Sequence, residues 1–243
     1  MRYGIVIPVH NEADHIEIFL SRFLDEIPPR VRAVLEEVIL VENGSLDDTA
    51  GACRRLSEKR TDLVRWFSVD RPSYGEAIKQ GMLACRGDYL SILEVDFLVP
   101  DFVARSIELF EAGQARFVLA SKRHPESVDR RPFKRRMLTL MFNWILNTLV
   151  GYPGSDTHGL KSIQTSLAKQ LCALAETTDE VFQTEIVLLA WRLGHRIEEL
   201  PIRIEEKRPG PVSITCRLPK VLDMIRQLRR SLKRFPPRQG WSV

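Results

Sequence analysis

The stretch that decides the fold is GDYLSILEVDFLVP, residues 87–100. After a short polar turn, the apolar run 89–93 has the composition of a buried strand. The run ends on two carboxylates one residue apart, Glu94 and Asp96. Because alternate residues of a strand point the same way, both are expected to face one point at the strand's C-terminal end. In open α/β sheets that end is where ligands bind.

Two hard oxygen ligands at this point suit Mg²⁺ or Mn²⁺, and such ions usually bridge to substrate phosphates. The alternative for these residues alone is a pair of acids, Glu94 and Asp96, that opens a solvated loop. The stretch itself does not separate the two interpretations, so the rest of the chain has to decide between them.

Short apolar runs alternate with segments of helical spacing through the first half of the chain. Besides the run in 87–100, the expected strands are Tyr3–Val9, 37–41, 63–69 and Phe117–Ser121. This alternation predicts an α/β fold with a mainly parallel sheet and helices on both faces. In the second half, helices are expected at 134–149, 166–175 and 180–193, and a strand or strand pair at 195–204.

Composition indicates an ordinary globular protein with one large domain or two small ones, because 44% of its 243 residues are hydrophobic and 28% are charged. The net charge is only +4, but basic residues crowd into 122–136 and 203–234. This crowding favours an anionic partner such as nucleotide phosphates or lipid headgroups. The alternative is a solvated basic face. A nucleic-acid partner is not expected, since the basic loops lack interleaved aromatic residues.

Cysteine usage and the missing targeting signals bear on location. The four cysteines are far apart and form no CxxC pair, which favours a reduced intracellular compartment. No signal segment opens the sequence, and no apolar stretch is long enough to span a bilayer. We therefore expect a cytoplasmic protein, either soluble or peripheral on the inner face of the membrane.

The segment 218–235, LPKVLDMIRQLRRSLKRF, has apolar residues along one helical face and basic residues over the remainder. A basic amphipathic helix of this kind can lie in a membrane interface rich in anionic lipids. The alternative is a helix whose apolar face packs on the domain while its basic face meets solvent.

Seven ordered motifs carry a resemblance to a known family. In chain order they are IPVHNE, VENGSLDDT, RPSYGEAIKQGM, GDYLSILEVDFLVP, ASKRHPES, SDTHGLK and FQTEIVLLAWRLGHRIEELPI. The sequence resembles the inverting family 2 glycosyltransferases of GT-A fold, most of all the dolichyl- and polyprenyl-phosphate sugar transferases typified by dolichyl-phosphate mannosyltransferase. The resemblance implies a glycosyltransferase domain at 1–216, with a nucleotide-binding half (about 1–121) and an acceptor half (about 122–216), and a basic helix and tail at 217–243.

The resemblance also implies a set of donor-binding residues. These are Pro8, Asn11, Glu12, Glu42, Arg71, Gly75, Glu94, Gln183, Glu185, Lys207 and Arg208. The first four would hold the base and ribose, and the 207–208 pair would form a basic lid over the diphosphate. Simple helix capping is the alternative for Asn11 and Glu12. A polar face on an otherwise apolar helix is the alternative for Gln183 and Glu185.

Catalytic and acceptor residues follow from the same resemblance. The implied catalytic residues are Asp96, Lys122, Arg123 and Asp156, the acceptor-binding residues are Arg135 and Arg136, and the metal ligands are Glu94 and Asp96. Glu94 replaces the first Asp of the family's DxD metal motif. Positive charge near a diphosphate and a phosphate acceptor stabilises the developing leaving-group anion. The implied cofactor is therefore Mg²⁺ or Mn²⁺.

The expected function is transfer of a mannose- or glucose-type sugar from a GDP- or UDP-sugar to a polyprenyl or dolichyl phosphate, with inversion at the anomeric carbon. One alternative is the same fold acting on a saccharide or small-molecule hydroxyl, for which Asp156 would have to act as general base. Another is a non-catalytic protein that binds nucleotide sugar or lipid.

Overall fold

The computed structural model describes residues 1–70, 72–205 and 218–236, with the backbone alone for 218–222. The strands are β1 (Tyr3–Val9), β2 (Leu35–Glu42), β3 (Val64–Ser68), β4 (Tyr89–Ile92), β5 (Phe117–Ser121), β6 (Val128–Asp129), β7 (Lys161–Gln164), β8 (Ile197–Pro201) and β9 (Arg203–Ile204). The helices are α1 (Ile16–Glu26), α2 (Pro29–Val34), α3 (Thr49–Lys59), α4 (Tyr74–Ala84), α5 (Pro100–Glu111), α6 (Phe133–Val150), α7 (Thr165–Leu174), α8 (Phe182–Arg192) and α9 (Leu218–Leu232).

Seven strands form one sheet in the order β3-β2-β1-β4-β7-β5-β8, and β6 pairs with β9 in a separate small sheet. β7 runs antiparallel to both its neighbours, β4 and β5, whereas every other neighbouring pair is parallel. The predicted mainly parallel sheet is therefore confirmed. β7 itself was not predicted, because KSIQ is short and carries no apolar run.

Helices cover both faces of the sheet, as predicted, and divide the core into two apolar layers. Val6 and Ile39 point into the layer that also contains residues of α4, α7 and α8. Ile5 and Leu40, their neighbours in sequence, point into the layer formed with α1, α3 and α5. A strand that is buried on both faces explains why β1 and β2 are continuous apolar runs without alternation.

The residues after β4 differ from the expectation. The strand ends at Ile92, and residues 94–97 form a tight turn in which the N–H of Phe97 donates to the carbonyl of Glu94 at 2.9 Å. Glu94 and Asp96 are therefore not alternate residues of a strand, and that part of the prediction was wrong. The following proline, Pro100, begins α5, where its missing N–H costs no hydrogen bond.

The C-terminal helix α9 packs its apolar face on the domain. Ile225, Leu228 and Leu232 are buried, and the last two belong to the core layer of α8. The basic side chains of α9 face outwards, namely Arg226, Arg229, Arg230, Lys233 and Arg234. Of the two interpretations of this segment, packing on the domain accounts for its apolar face. Within the described ranges, none of the helices has the length and apolar character needed to cross a bilayer.

Candidate active site

A cleft of about 220 Å³ collects charged residues from both halves of the chain. Its polar lining includes Glu94, Asp96, Lys122, Arg131, Arg135, His158 and Glu205. The cleft brings four of the predicted site residues together, namely Glu94, Asp96, Lys122 and Arg135. Arg131 and His158 were not predicted as site residues. A cleft lined by both carboxylates and cations suits a metal-bound diphosphate beside a second anion.

Glu94 is held in place by a partly buried phenol. The hydroxyl of Tyr74, at the start of α4, donates to Oε1 of Glu94 at 3.1 Å. Burial raises the pKa of Tyr74 well above its usual range, and the charge of Glu94 raises it further. The phenol therefore stays protonated and remains a donor, which fixes the orientation of this carboxylate.

Glu94 and Asp96 have the donor chemistry of a partial metal site. Among the described residues, no group of three or more His, Cys, Asp and Glu side chains is arranged to hold an ion by itself. Glu94 and Asp96 nevertheless offer hard carboxylate oxygens in one cleft. Mg²⁺ typically takes only one or two carboxylates and completes its shell with water and substrate phosphates. The residues present fit such a substrate-completed site.

Asp156 joins the loop before β7 to the end of β5. Its carboxylate is 1% exposed, and Oδ1 accepts from the backbone N–H groups of Thr157 and His158 at 2.8 and 3.0 Å. Oδ2 accepts from the N–H of Lys122 at 3.2 Å. Burial alone would raise the pKa of Asp156, but the charge of Lys122 and these N–H bonds outweigh it and lower the pKa. The carboxylate is thus ionised, and three backbone N–H donors already occupy most of its acceptor capacity.

Lys161, which was not predicted as a site residue, lies fully buried beside this loop. Its Nζ donates to the carbonyl of Gly159 at 2.9 Å and to Oε1 of Gln183 at 2.7 Å. Burial lowers the pKa of Lys161 to about 7 against the opposing charge of Asp156. The motif SDTHGLK contained this lysine, but a lysine at the start of a short polar strand gave no sign of burial.

Gly159 lines the same cleft because the chain passes there at close range. A Cβ at this position would lie 1.6 Å from the carbonyl oxygen of Ala120. The next residue supports the approach, since the carbonyl of Leu160 accepts from the N–H of Ala120 at 2.8 Å. Only glycine allows β5 and the loop before β7 to approach so closely, and this approach forms part of the cleft lining.

The predicted nucleotide residues form a second group at the C-terminal ends of β1 and β2. Oε1 of Glu42 accepts from the N–H of Ser45 at 2.6 Å, and Oδ1 of Asn11 accepts from the N–H of Leu46 at 2.8 Å. Burial would raise the pKa of Glu42, but the bonds from Ser45 and Ser68 lower it. β1, β2 and β4 are parallel, so this group shares the edge of the sheet that carries Glu94.

Pro8 and Glu12 complete that group in different ways. Pro8 pairs with Val41 inside the sheet. The carbonyl of Glu12 accepts from the N–H groups of His15 and Ile16, both at 3.0 Å, and so opens α1. The backbone of Glu12 therefore performs the capping that was the alternative interpretation, while its side chain lies 3.4 Å from Nδ1 of His15.

Gly75 and Glu185 contact other segments of the protein: the first allows a close backbone approach, and the second accepts backbone hydrogen bonds. A Cβ at Gly75 would lie 2.0 Å from the carbonyl oxygen of Asp179, so α4 can start here only with glycine. Glu185 is fully buried, and its two oxygens accept from the N–H groups of Glu176 and Thr177 at 2.9 Å each. The hydroxyl of Ser231 in α9 also donates to it. Neither residue lines the cleft.

The remaining predicted residues lie outside the cleft or outside the described part of the chain. Arg123 and Arg136 are exposed and do not line it. Arg71, Lys207 and Arg208 fall outside the described residues. Gln183 does not line the cleft but is bonded to Lys161 next to it. The donor and acceptor roles of these residues remain predictions.

The family model described as "Glycosyl transferase family 2" matches residues 4–163, well over half of the chain. The chain belongs to glycosyl transferase family 2. The matched range contains β1 from its second residue, all of β2 to β6, and the carboxylates Glu94, Asp96 and Asp156. The resemblance drawn from the seven motifs is thereby confirmed.

Named relatives of this family 2 chain include sugar transferases of different sizes. It is 26% identical over 214 residues to the glycosyltransferase AglD of Haloferax volcanii. That match covers 87% of the chain and 34% of AglD. It is 25% identical over 239 residues to a dolichyl-phosphate beta-glucosyltransferase of Dictyostelium discoideum. That match covers 92% of the chain and 73% of that protein. The chain thus spans about a third of one relative and three quarters of the other.

Solved structures confirm the GT-A fold of the family 2 chain. Glucosyl-3-phosphoglycerate synthase from Mycobacterium tuberculosis, in complex with Mn²⁺, UDP-glucose and phosphoglyceric acid, superposes with a TM-score of 0.67 at 21% identity. The match covers 100% of this chain and 83% of that one. At this level of identity the likeness establishes the fold alone.

Proposed function

We propose that this chain transfers a hexose from a nucleotide-sugar donor to a polyprenyl or dolichyl phosphate at a membrane surface, with inversion at the anomeric carbon. UDP-glucose is the first donor to test, because the Dictyostelium relative is named a glucosyltransferase and the mycobacterial structure holds UDP-glucose. GDP-mannose is the alternative donor. The reaction is a single in-line displacement in which the acceptor phosphate oxygen attacks and the nucleoside diphosphate leaves.

The observation that carries the choice of acceptor is the state of Asp156. Its oxygens accept three backbone N–H bonds and its pKa is lowered, so it is a weak base with little free acceptor capacity. A hydroxyl acceptor needs a general base to remove its proton. A phosphate monoester is already anionic at neutral pH and needs none. The site therefore suits a phosphate acceptor better than a hydroxyl.

The cations of the cleft are proposed to supply most of the charge stabilisation. Lys122 and Arg135, together with Arg131, line the cleft that also holds Asp96. Fixed positive charge at this place would orient the two anionic reactants and stabilise the leaving diphosphate. We assign the acceptor phosphate to Arg131 and Arg135. The bidentate bonds from Arg131 to Asp129, at 2.9 and 2.7 Å, keep this guanidinium in position.

The proposed donor site extends from the cleft along the edge of the sheet. Asp96 and Glu94 would hold a divalent ion, which when bound neutralises charge on the diphosphate. Glu42 and Asn11, at the ends of the neighbouring strands, would contact the nucleoside, where carboxylate and amide oxygens accept bonds from base N–H groups or ribose hydroxyls. The nucleotide-binding half (1–121) and the acceptor half (122–216) are part of the same proposal.

The experiment is a transfer assay with UDP-glucose or GDP-mannose and a short-chain polyprenyl phosphate, in the presence of Mg²⁺ or Mn²⁺. Asp156→Asn, assayed below its melting temperature because its amide meets three backbone N–H donors, should retain a substantial part of the wild-type kcat if the acceptor is a phosphate. With a hydroxyl acceptor the loss of a general base would lower kcat by about 10²-fold or more. Product formation on sugar hydroxyls alone, abolished by Asp156→Asn, would reject the lipid-phosphate proposal in favour of a saccharide acceptor.

A further inference from the structure

The outward face of α6 is apolar. Phe133, Met137 and Trp144 are 72%, 47% and 68% exposed, and Leu140 and Met141 lie between them with 36% and 39% exposure. These positions are spaced i, i+4, i+7, i+8 and i+11, so they form one stripe along one side of the helix. We refer to these five residues as the α6 stripe.

The opposite face of α6 is already used for packing. Leu146 and Val150 are buried in the core layer that includes α8. Nδ2 of Asn143 donates to the carbonyl of Ser155 at 2.7 Å, and Nδ2 of Asn147 donates to that of Tyr152 at 2.9 Å. The helix is thus fixed on the loop that carries Asp156. Rotating α6 about its axis to bury the stripe would break these bonds and expose Leu146 and Val150.

Basic residues lie near both ends of the helix that carries the stripe. α6 contains no acidic residue, and Lys134 and Arg136 are exposed beside Phe133 in its first turn. At the other end, α9 packs against α6, and Nη2 of Arg229 donates to the carbonyl of Leu149 at 3.2 Å. This contact brings the exposed basic face of α9 next to the C-terminal end of α6.

We propose that the α6 stripe docks on an anionic lipid surface, with the exposed basic residues of α6 and α9 facing the headgroups. Aromatic and methionine side chains flanked by Lys and Arg are the composition of helices that lie in a membrane interface. Cations beside such a helix add attraction to anionic lipids. Basic residues near both ends of the helix, with no acidic residue within it, favour an anionic lipid surface over a second protein chain.

The cleft lies beside the helix that carries the stripe, so docking would bring the cleft close to the membrane. This part of the inference rests on the proposed function. Arg131 and Arg135, which line the cleft, stand just before and within the first turn of α6. His158, which also lines the cleft, packs its ring edge-on against Phe142 of α6, with ring centroids 5.0 Å apart. A lipid phosphate at the headgroup level would thus meet the cleft while its hydrocarbon chain stays in the bilayer beside the stripe.

The test is sedimentation of the 243-residue chain with vesicles of phosphatidylcholine alone or with added phosphatidylglycerol. The double variant Phe133→Ser/Trp144→Ser should bind anionic vesicles about tenfold more weakly or worse, because two inserted aromatic side chains are lost. The matched control is Ile18→Ser/Leu83→Ser, which removes two exposed apolar side chains, 65% and 40% exposed, from α1 and α4. The control should bind like the wild type.

A third variant, Arg226→Gln/Arg230→Gln, separates the electrostatic contribution. It should lose the preference for phosphatidylglycerol while keeping the weaker binding to phosphatidylcholine. Melting temperatures establish that each variant is folded. Equal vesicle binding by the stripe variant and the control would overturn the inference, and so would a wild-type protein that ignores vesicles. A stripe variant that instead converts a dimer to a monomer would show that a second copy occupies the face, and would also overturn it.

Activity on a water-soluble, short-chain polyprenyl phosphate keeps this inference distinct from the proposed function. The stripe variant should retain that activity and lose turnover only on long-chain acceptor in vesicles. Stripe-dependent vesicle binding by a protein that transfers sugar to no lipid phosphate would support the docking surface and reject the acceptor. Normal long-chain turnover by the stripe variant in vesicles would overturn the role of the surface.

Discussion

The ammonium of Lys161 lies 2.7 Å from Oε1 of Gln183, so a fully buried cation joins the start of β7 to α8. Asp156 and Glu94 attract this charge, whereas burial and Lys122 oppose it. The bond connects residues of two elements that are 22 positions apart in sequence. The same ammonium also donates to the carbonyl of Gly159 at 2.9 Å, and Gly159 lines the cleft.

This lysine should make stability depend on pH in the alkaline range. Its folded pKa of about 7 lies below the unfolded value of about 10.4, so the unfolded chain binds more protons between these values. The free energy of unfolding of the wild type should therefore rise with pH above 7. Relative to Lys161→Met, we expect a gain of about 2 kcal/mol between pH 7 and pH 9, measured by urea denaturation at each pH. Lys169→Met, an exposed position on α7, is the control and should track the wild type.

Replacing Glu185 by Gln should destabilise the fold. The amide keeps the size of the carboxylate but presents an NH₂ group to donors, which include the N–H groups of Glu176 and Thr177. We expect a loss of about 2 kcal/mol in the free energy of unfolding. Glu176→Gln removes only a surface ion pair with Arg234 and should cost less than about 1 kcal/mol. Equal losses in the two variants would contradict the assigned role of the buried carboxylate.

Adding a methyl group at Gly75 should push α4 away from the loop before α8. The new Cβ would meet backbone at 2.0 Å, which no side-chain rotation can relieve. Thermal unfolding of Gly75→Ala should reveal a loss of about 3 kcal/mol or more. Gly113→Ala is the comparison, because that glycine has a φ of +65° but nothing within 4 Å. Its cost should be about 1 kcal/mol, from backbone strain alone.

Asp96→Asn should weaken metal-dependent donor binding while leaving the fold intact. Calorimetric titration with UDP, in the presence and absence of Mn²⁺, should give a dissociation constant that is raised about tenfold or more only when Mn²⁺ is present. Asp101→Asn, an exposed acid in the first turn of α5, should bind like the wild type. If Asp96→Asn retains the full Mn²⁺ effect, this carboxylate is not a metal ligand.

Periodicity predicted the sheet and its covering helices, because β1 and β2 are buried on both faces and so leave long apolar runs in the sequence. It did not find β7, whose burial depends on the strands beside it rather than on its own composition. The carboxylates Glu94 and Asp96 were predicted to share one site and do line one cleft, although a tight turn rather than a strand brings them together.

The two amphipathic helices illustrate a different limit. Both α6 and α9 have an apolar face, and a sequence pattern does not say which of two such faces the domain will cover. In the structure α9 buries its apolar face, whereas the α6 stripe is exposed. The hydrogen-bond partners of Asp156 and Lys161 could not be predicted from the sequence either, because they depend on contacts between segments that are distant in sequence.

The place of β7 in the sheet has a consequence for biosynthesis. β5 pairs only with β7 and β8, and β7 alone connects it to β4. A ribosome that has released residues up to 121 has therefore produced β5 without any strand to pair with. The sheet becomes continuous only after Lys161–Gln164 has emerged and inserted between two strands made earlier. Until then the exposed flanks of β4 and β5 are the most vulnerable part of the nascent chain, and chaperone capture or aggregation during synthesis should centre on them.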